Sequence, residues 1–185
     1  MIRVLDKAIA DKIAAGEVIE RPVSIVKELV ENALDAGASS VTVEIKNGGK
    51  SYIRVTDNGI GIAREEAATA FLRHATSKIS SVKDLDAIET LGFRGEALAS
   101  IAAVTSCELI TKTADTKAGT RILLRGGILV RNEQTGCPDG TTFIITDLFF
   151  NTPARLKFMK SDGAESGMII DFVSQVALAY KEIKF

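Results

Sequence analysis

"VTVEIKNGGKSYIRV", residues 41–55, decides the fold. Val41, Val43 and Ile45 alternate with polar residues, a glycine-rich "NGGK" follows, and Ile53 and Val55 resume the alternation. Period-two alternation describes a half-buried strand, and two such runs joined by a glycine turn describe a β-hairpin. Further strand-like stretches fall near 105–112, 119–125, 128–133 and 141–147, with "RGG" turning the chain between two of them. Strands that arrive in hairpins pair antiparallel. Helices are expected over 22–36, with Pro22 in the first turn and Gly37 as C-terminal cap, and near 65–72, 96–103 and 163–180. "NTPAR", 151–155, reads as a turn. The expected fold class is α+β, a two-layer α/β sandwich with a mixed, mostly antiparallel sheet and helices on one face.

The 185 residues suffice for one sizeable core and fall short of two full domains, so a single domain over 1–185 is expected. A hydrophobic share of 46% with 25% charged residues is that of an ordinary globular chain. No apolar run reaches membrane-spanning length, and Asp6 and Asp11 sit where a signal peptide would be basic and apolar. No membrane partner is expected, and a cytoplasmic location is. Cys107 and Cys137 make neither a disulfide framework nor a metal site. With a net charge of −1, any contact with DNA must rest on a local basic patch. The closing "AYKEIKF" reads as the start of a further strand, and the chain is expected to be a fragment.

In "KELVENALDAG", residues 27–37, Glu28, Glu31, Asn32 and Asp35 recur at i, i+3, i+4 and i+7 and share one helix face. Ile25, Val26, Leu29, Val30 and Ala33 lie on the other. An amphipathic helix with its acidic side in water explains this pattern. A solvated face usually mixes signs, however, and this one carries three acids and an amide without a lysine. An Asn beside carboxylates can hold Mg²⁺ through its amide oxygen, and a carboxylate can orient or deprotonate a water.

"DNGIGI", residues 57–62, is a turn that presents Asp57. From such a turn an aspartate can also accept a hydrogen bond from an exocyclic amine. The Rossmann fingerprint fails, because its third glycine would fall at Arg64, and no Walker-A or His-Arg-Asp motif occurs. In "LGFRGEALASIAAV", residues 91–104, glycines flank a Phe-Arg pair at the mouth of a helix. Free N–H groups and the helix dipole suit a phosphate there; a plain turn into a buried helix suits the same residues.

Together these stretches resemble the GHKL ATPase superfamily, which includes gyrase B, histidine kinases, a heat-shock chaperone and the MutL mismatch-repair proteins. The matching motifs are Glu28-Leu-Val-Glu31-Asn32, Asp57-Asn-Gly59-Ile-Gly61, Gly92-Phe-Arg94-Gly95-Glu96-Ala97-Leu98 and Gly140-Thr141-Thr142. "GFRGEAL" is close to diagnostic of the MutL branch, and "IAAGEV" (13–18), "HATSK" (74–78) and "NTPAR" resemble it too. The resemblance implies ATP and Mg²⁺ as ligands. It makes Glu28 the base that orients the attacking water and Asn32 the Mg²⁺ ligand. It makes Asp57 the acceptor for the adenine amine, with Gly61 in the same loop and Thr142 beside it. Gly92, Arg94, Gly95, Glu96, Ala97 and Leu98 become a lid over the phosphates, with Thr76, Ser77 and Lys78 in the mobile lid region.

The resemblance also implies DNA, the mismatch-recognition protein MutS and downstream repair factors as partners, and a homodimer of the complete protein. The complete family protein adds a second, transducer domain with a lysine for the γ-phosphate. It also adds a C-terminal dimerisation region that carries an endonuclease site in some members. Neither is in this sequence, so weak turnover by the chain alone is expected. A nucleotide-gated binding module, with ATP as a conformational ligand, is the alternative. A phosphotransferase of the histidine-kinase branch would need a phosphoacceptor histidine, and His74 is the only histidine. Arg155, Lys157 and Lys160 read as a solvated basic face, and Phe149 and Phe150 as core.

Overall fold

The structure is a computed structural model that describes residues 6, 15, 16, 18–75 and 95–185. Helix α1, Pro22–Asp35, begins on proline at its first positions, where the missing N–H costs nothing. It buries Ile25, Val26, Leu29, Val30 and Ala33, the apolar stripe of the sequence. Strands β1 (Val41–Lys46) and β2 (Tyr52–Asp57) form the expected hairpin, turned by a short 3-10 segment at Asn47–Gly49. Helix α2 is the single turn Arg64–Ala67. The expected helix over 65–72 breaks there, and a separate 3-10 turn at Thr69–Phe71 buries Phe71.

Helix α3 (Ala97–Val104) leads into β3 (Ser106–Lys112), β4 (Gly119–Arg125), β5 (Ile128–Thr135) and β6 (Gly140–Thr146). "NTPAR" is more than a turn, since Pro153–Leu156 makes the one-turn helix α4. Helix α5 spans Asp162–Ala179, and its N-cap Ser161 accepts from the Ala164 N–H.

The sheet order is β1-β2-β6-β3-β4-β5, with every pairing antiparallel. A parallel bridge joins Ser40 to Lys184, so the closing segment does run beside the start of β1. Alternation puts two apolar rows on the helix side. One is Val43, Val55, Phe143, Leu109 and Ile122; the other is Ile45, Ile53, Ile145, Cys107 and Leu124. Helix α1 packs against β1 and β2, and α3 against β3 and β4.

A third row continues the same face to the end of the sheet, and after Val41 it is polar: Asp57, Thr141, Thr111 and Thr120. It is reachable because β6 starts on Gly140, whose φ is +107°. A methyl group there would fall on the Asp57 carbonyl oxygen. Gly140→Ala should therefore lower stability by about 1–3 kcal/mol, from left-handed strain plus a clash with backbone that cannot swing away. Urea unfolding measures the loss; an unchanged midpoint would show that β6 can start without this approach.

Candidate functional site

The polar row ends the sheet under α1. Asp57 lies directly opposite Thr141 across the β2–β6 pair. One carboxylate oxygen accepts the Gly59 N–H at 2.8 Å. Burial pushes the Asp57 carboxyl above its ordinary range, against backbone hydrogen bonds from Gly59 and Thr141 that pull it down. Thr111 is buried beside it, within 3.1 Å of the Thr141 hydroxyl and donating to the Gly140 carbonyl at 3.0 Å. Its oxygen also accepts the Ile62 N–H at 2.8 Å. Gly61 crosses there, with its α-carbon against the Lys112 carbonyl at the end of β3.

Thr142, expected beside Asp57, stands on the other face. A strand points successive side chains to opposite sides, so Thr142 pairs with Thr56 on the outer surface, hydroxyl to hydroxyl at 3.1 Å. Thr141 occupies the place assigned to it. Thr111 and Thr120 continue the same row.

The loop after Asp57 is stitched to the end of α1. The Ile60 N–H donates to the Ala36 carbonyl at 3.0 Å. The Asn58 side-chain oxygen accepts the backbone N–H groups of Ser39 (2.9 Å) and Ser40 (2.8 Å), and its amide donates to the Ser39 hydroxyl at 2.8 Å. This staple fixes the C-terminal end of α1 to the loop that leaves Asp57. The expected acidic stripe divides on folding. Glu31 is buried and lies 3.8 Å from Lys27, Asp35 is exposed, and Glu28 and Asn32 are half-buried one turn apart.

Helix α3 begins after Glu96 with no side chain capping it. Its first N–H groups, from Ala97 and Leu98 on, therefore have no intrahelical acceptor. Leu98 anchors the turn by packing on the core. Gly95 accepts the His74 N–H at 2.9 Å, and Glu96 lies 3.6 Å from the His74 ring. Thr76, Ser77, Lys78, Gly92 and Arg94 lie outside the described residues. Glu28 and Asn32 lie on α1, whose end is joined to the loop carrying Asp57 and Gly61, and Gly95 to Leu98 lead into the start of α3.

A family model described as "Histidine kinase-, DNA gyrase B-, and HSP90-like ATPase" matches residues 20–133. The chain belongs to that family. The matched span runs from the turn before α1 through the Asp57 loop and α3 into β5. Within that family the relatives it resembles in sequence include MutL proteins. The DNA mismatch repair protein MutL of Agathobacter rectalis is 57% identical over 100% of this chain, which covers 28% of that protein. That of Symbiobacterium thermophilum is 56% identical, with 29% of it covered. The chain thus spans under a third of the length of these curated relatives.

Among solved structures it is similar to the Aquifex aeolicus MutL ATPase domain complexed with ADP, at 35% identity and a TM-score of 0.70. That match covers 90% of this chain and 58% of the other. The N-terminal domain of a DNA repair protein superposes at a TM-score of 0.79 with 28% identity, over 94% of this chain and 50% of that one. No helix among the described residues is long and apolar enough to cross a membrane.

The raised Asp57 carboxyl has a consequence without any ligand. A carboxyl whose folded pKa lies above its unfolded value binds more protons when folded, so stability falls as pH rises between the two values. Above that window the buried charge weakens the fold. Asp57→Asn keeps an oxygen for the Gly59 N–H and removes the charge. At neutral pH the ligand-free variant should melt at or above the parent temperature, with a flatter acid limb in a pH series. A clear drop in melting temperature at pH 7 would mean that the carboxylate is stabilising.

Proposed function

We propose that this chain is the ATP-binding and ATP-hydrolysing module of a DNA mismatch-repair protein of the MutL kind. The observation that carries the reading is Asp57, a half-buried carboxylate that accepts hydrogen bonds, at the end of a polar row. Adenine offers an amine where guanine offers a carbonyl, so Asp57 would take the one and repel the other. Thr141 and Thr111 supply hydroxyls on the same row for the ring nitrogens and ordered water. The start of α3, with Gly95, Glu96, Ala97 and Leu98, suits the phosphates through its first-turn N–H groups and dipole. Thr76, Ser77, Lys78, Gly92 and Arg94 would complete that end.

Asn32 fits Mg²⁺ through its amide oxygen. Among the described residues there is no group of three or more His, Cys, Asp or Glu that could hold a metal, so the remaining ligands would be phosphate oxygens and water. When bound, Mg²⁺ neutralises charge on the phosphates. Glu28, one turn before Asn32, would hold and deprotonate the attacking water. Phosphoryl transfer leaves little else for a protein to do than position and neutralise. That is why a lysine from a second domain is expected to contribute. The nucleotide cycle would then drive pairing of two copies and engagement of DNA, MutS and downstream repair factors, in the cytoplasm.

In a protein that includes the second domain, Glu28→Ala should lower kcat by about 10² to 10⁴-fold while leaving nucleotide affinity largely intact. Single-turnover kinetics and equilibrium binding separate the two. A parallel loss of both would make Glu28 a structural residue.

Competition binding of ATP against GTP should favour ATP by about tenfold or more, the worth of a buried charged acceptor left facing another acceptor. Comparable affinities would remove Asp57 from its role.

A further inference from the structure

"NTPAR" has no part in the site so far, yet it touches both of the helices that flank it. Its loop holds the end of α3. The Phe149 N–H donates to the Val104 carbonyl at 2.8 Å, and the Asn151 amide donates to the Ala103 carbonyl at 2.8 Å. These are carbonyls that a helix C-terminus leaves without intrahelical donors. Phe149 adopts φ +60°, a strain of about 1–2 kcal/mol for a non-glycine residue. Its fully buried ring, worth about 1.5–3 kcal/mol, outweighs that cost. The strained turn is therefore held by packing, and it sets the ring as a platform.

Arg155 uses that platform. Its guanidinium lies 5.6 Å over the Phe149 ring and donates to the Ile19 carbonyl at 3.5 Å. The hydrogen bond is long, so stacking contributes more than the bond. Gly16 stands against it, where an added methyl group would overlap the guanidinium. Ala15 and Ile19 are fully buried, and the Ile19 N–H closes a helical turn onto the Ala15 carbonyl at 2.8 Å. That turn feeds α1 through Arg21 and Pro22. Arg155 is half-buried rather than part of a solvated basic face.

We infer that Arg155 is a positioning residue. In contact with the Phe149 ring and with Gly16, it clamps the turn that feeds α1 to the loop that holds the last turn of α3. The helix carrying Glu28 and Asn32 and the helix that starts at the phosphate end are thereby tied at a distance from both groups. The functional meaning rests on the nucleotide reading proposed above; the clamp itself does not. Gly16 belongs to the device because a bare α-carbon lets the planar group lie flat. Lysine cannot replace arginine, because it lacks the plane that stacks.

Amide hydrogen exchange on the nucleotide-free protein tests the clamp. Arg155→Lys and Arg155→Ala should each speed exchange about tenfold or more at residues 18–21 and also at 100–104, although Asn151 is unchanged. Gly16→Ala should give the same pattern by displacing the guanidinium. The double variant Gly16→Ala/Arg155→Ala should exchange no faster than Arg155→Ala alone, because the methyl then has nothing to displace. Steady-state kinetics on the protein with its second domain should show kcat reduced about tenfold in Arg155→Lys, with KM within about twofold, as for misplaced rather than missing groups.

Faster exchange confined to 18–21, or additive effects in the double variant, would overturn the clamp. A raised KM with kcat unchanged would overturn its catalytic meaning. If the parent protein itself shows no turnover, the nucleotide reading fails while the exchange result still decides the clamp.

Discussion

The site depends on one close approach, the start of β6 against the end of β2. Asp57 can face Thr141 only because Gly140 lets the strand begin on the Asp57 carbonyl with nothing in between. From that contact the rest follows outward. The register it sets runs through the apolar rows and puts Thr111 and Thr120 in line with Asp57. The loop leaving Asp57 then carries Asn58 to the Ser39–Ser40 backbone, which seats α1 across the same edge. A different start for β6 would shift the register by a residue and turn the polar row outward.

The arrangement trades stability for binding. A row of apolar side chains at the end of the sheet would be a simpler way to close the core. Instead the chain buries three threonines beside a half-buried carboxylate whose pKa is raised. The threonines are satisfied locally, Thr111 by Gly140, Thr141 and Ile62. Asp57 keeps acceptor capacity beyond its bonds to the Gly59 and Thr141 backbone, and that capacity is what a ligand amine would use. Local rules broken at one place and obeyed elsewhere are the mark of a binding site.

Much of this was legible in the sequence, because it rests on short-range patterns. Period-two alternation located the strands, and proline and glycine bounded α1. The resemblance of spaced motifs named the branch that the relatives share. Thr142 was misplaced for want of the pleat. Its strand alternates with Phe143 and Ile145 inward, so Thr141 had to face the core and Thr142 the solvent. The same phase, carried back from Cys107 and Leu109, would have found Thr111. Arg155 was unreadable for a different reason. Its partners, Gly16 and Ile19, are far away in sequence, and charge followed by charge looks solvated until the fold closes. The break of the 65–72 helix is likewise tertiary, since Phe71 turns into the core against Phe143.

The central claim is that a nucleotide lies along this edge with its base at Asp57 and its phosphates toward the start of α3. A crystal structure of the chain with a non-hydrolysable ATP analogue and Mg²⁺ tests it most directly. The account predicts the adenine amine at about 3 Å from the Asp57 carboxylate, a hydrogen-bond distance. It also predicts the Asn32 amide oxygen on the metal and phosphate oxygens facing the N–H groups of Ala97 and Leu98. An analogue bound elsewhere, or bound here with Asp57 turned away from the base, would contradict it.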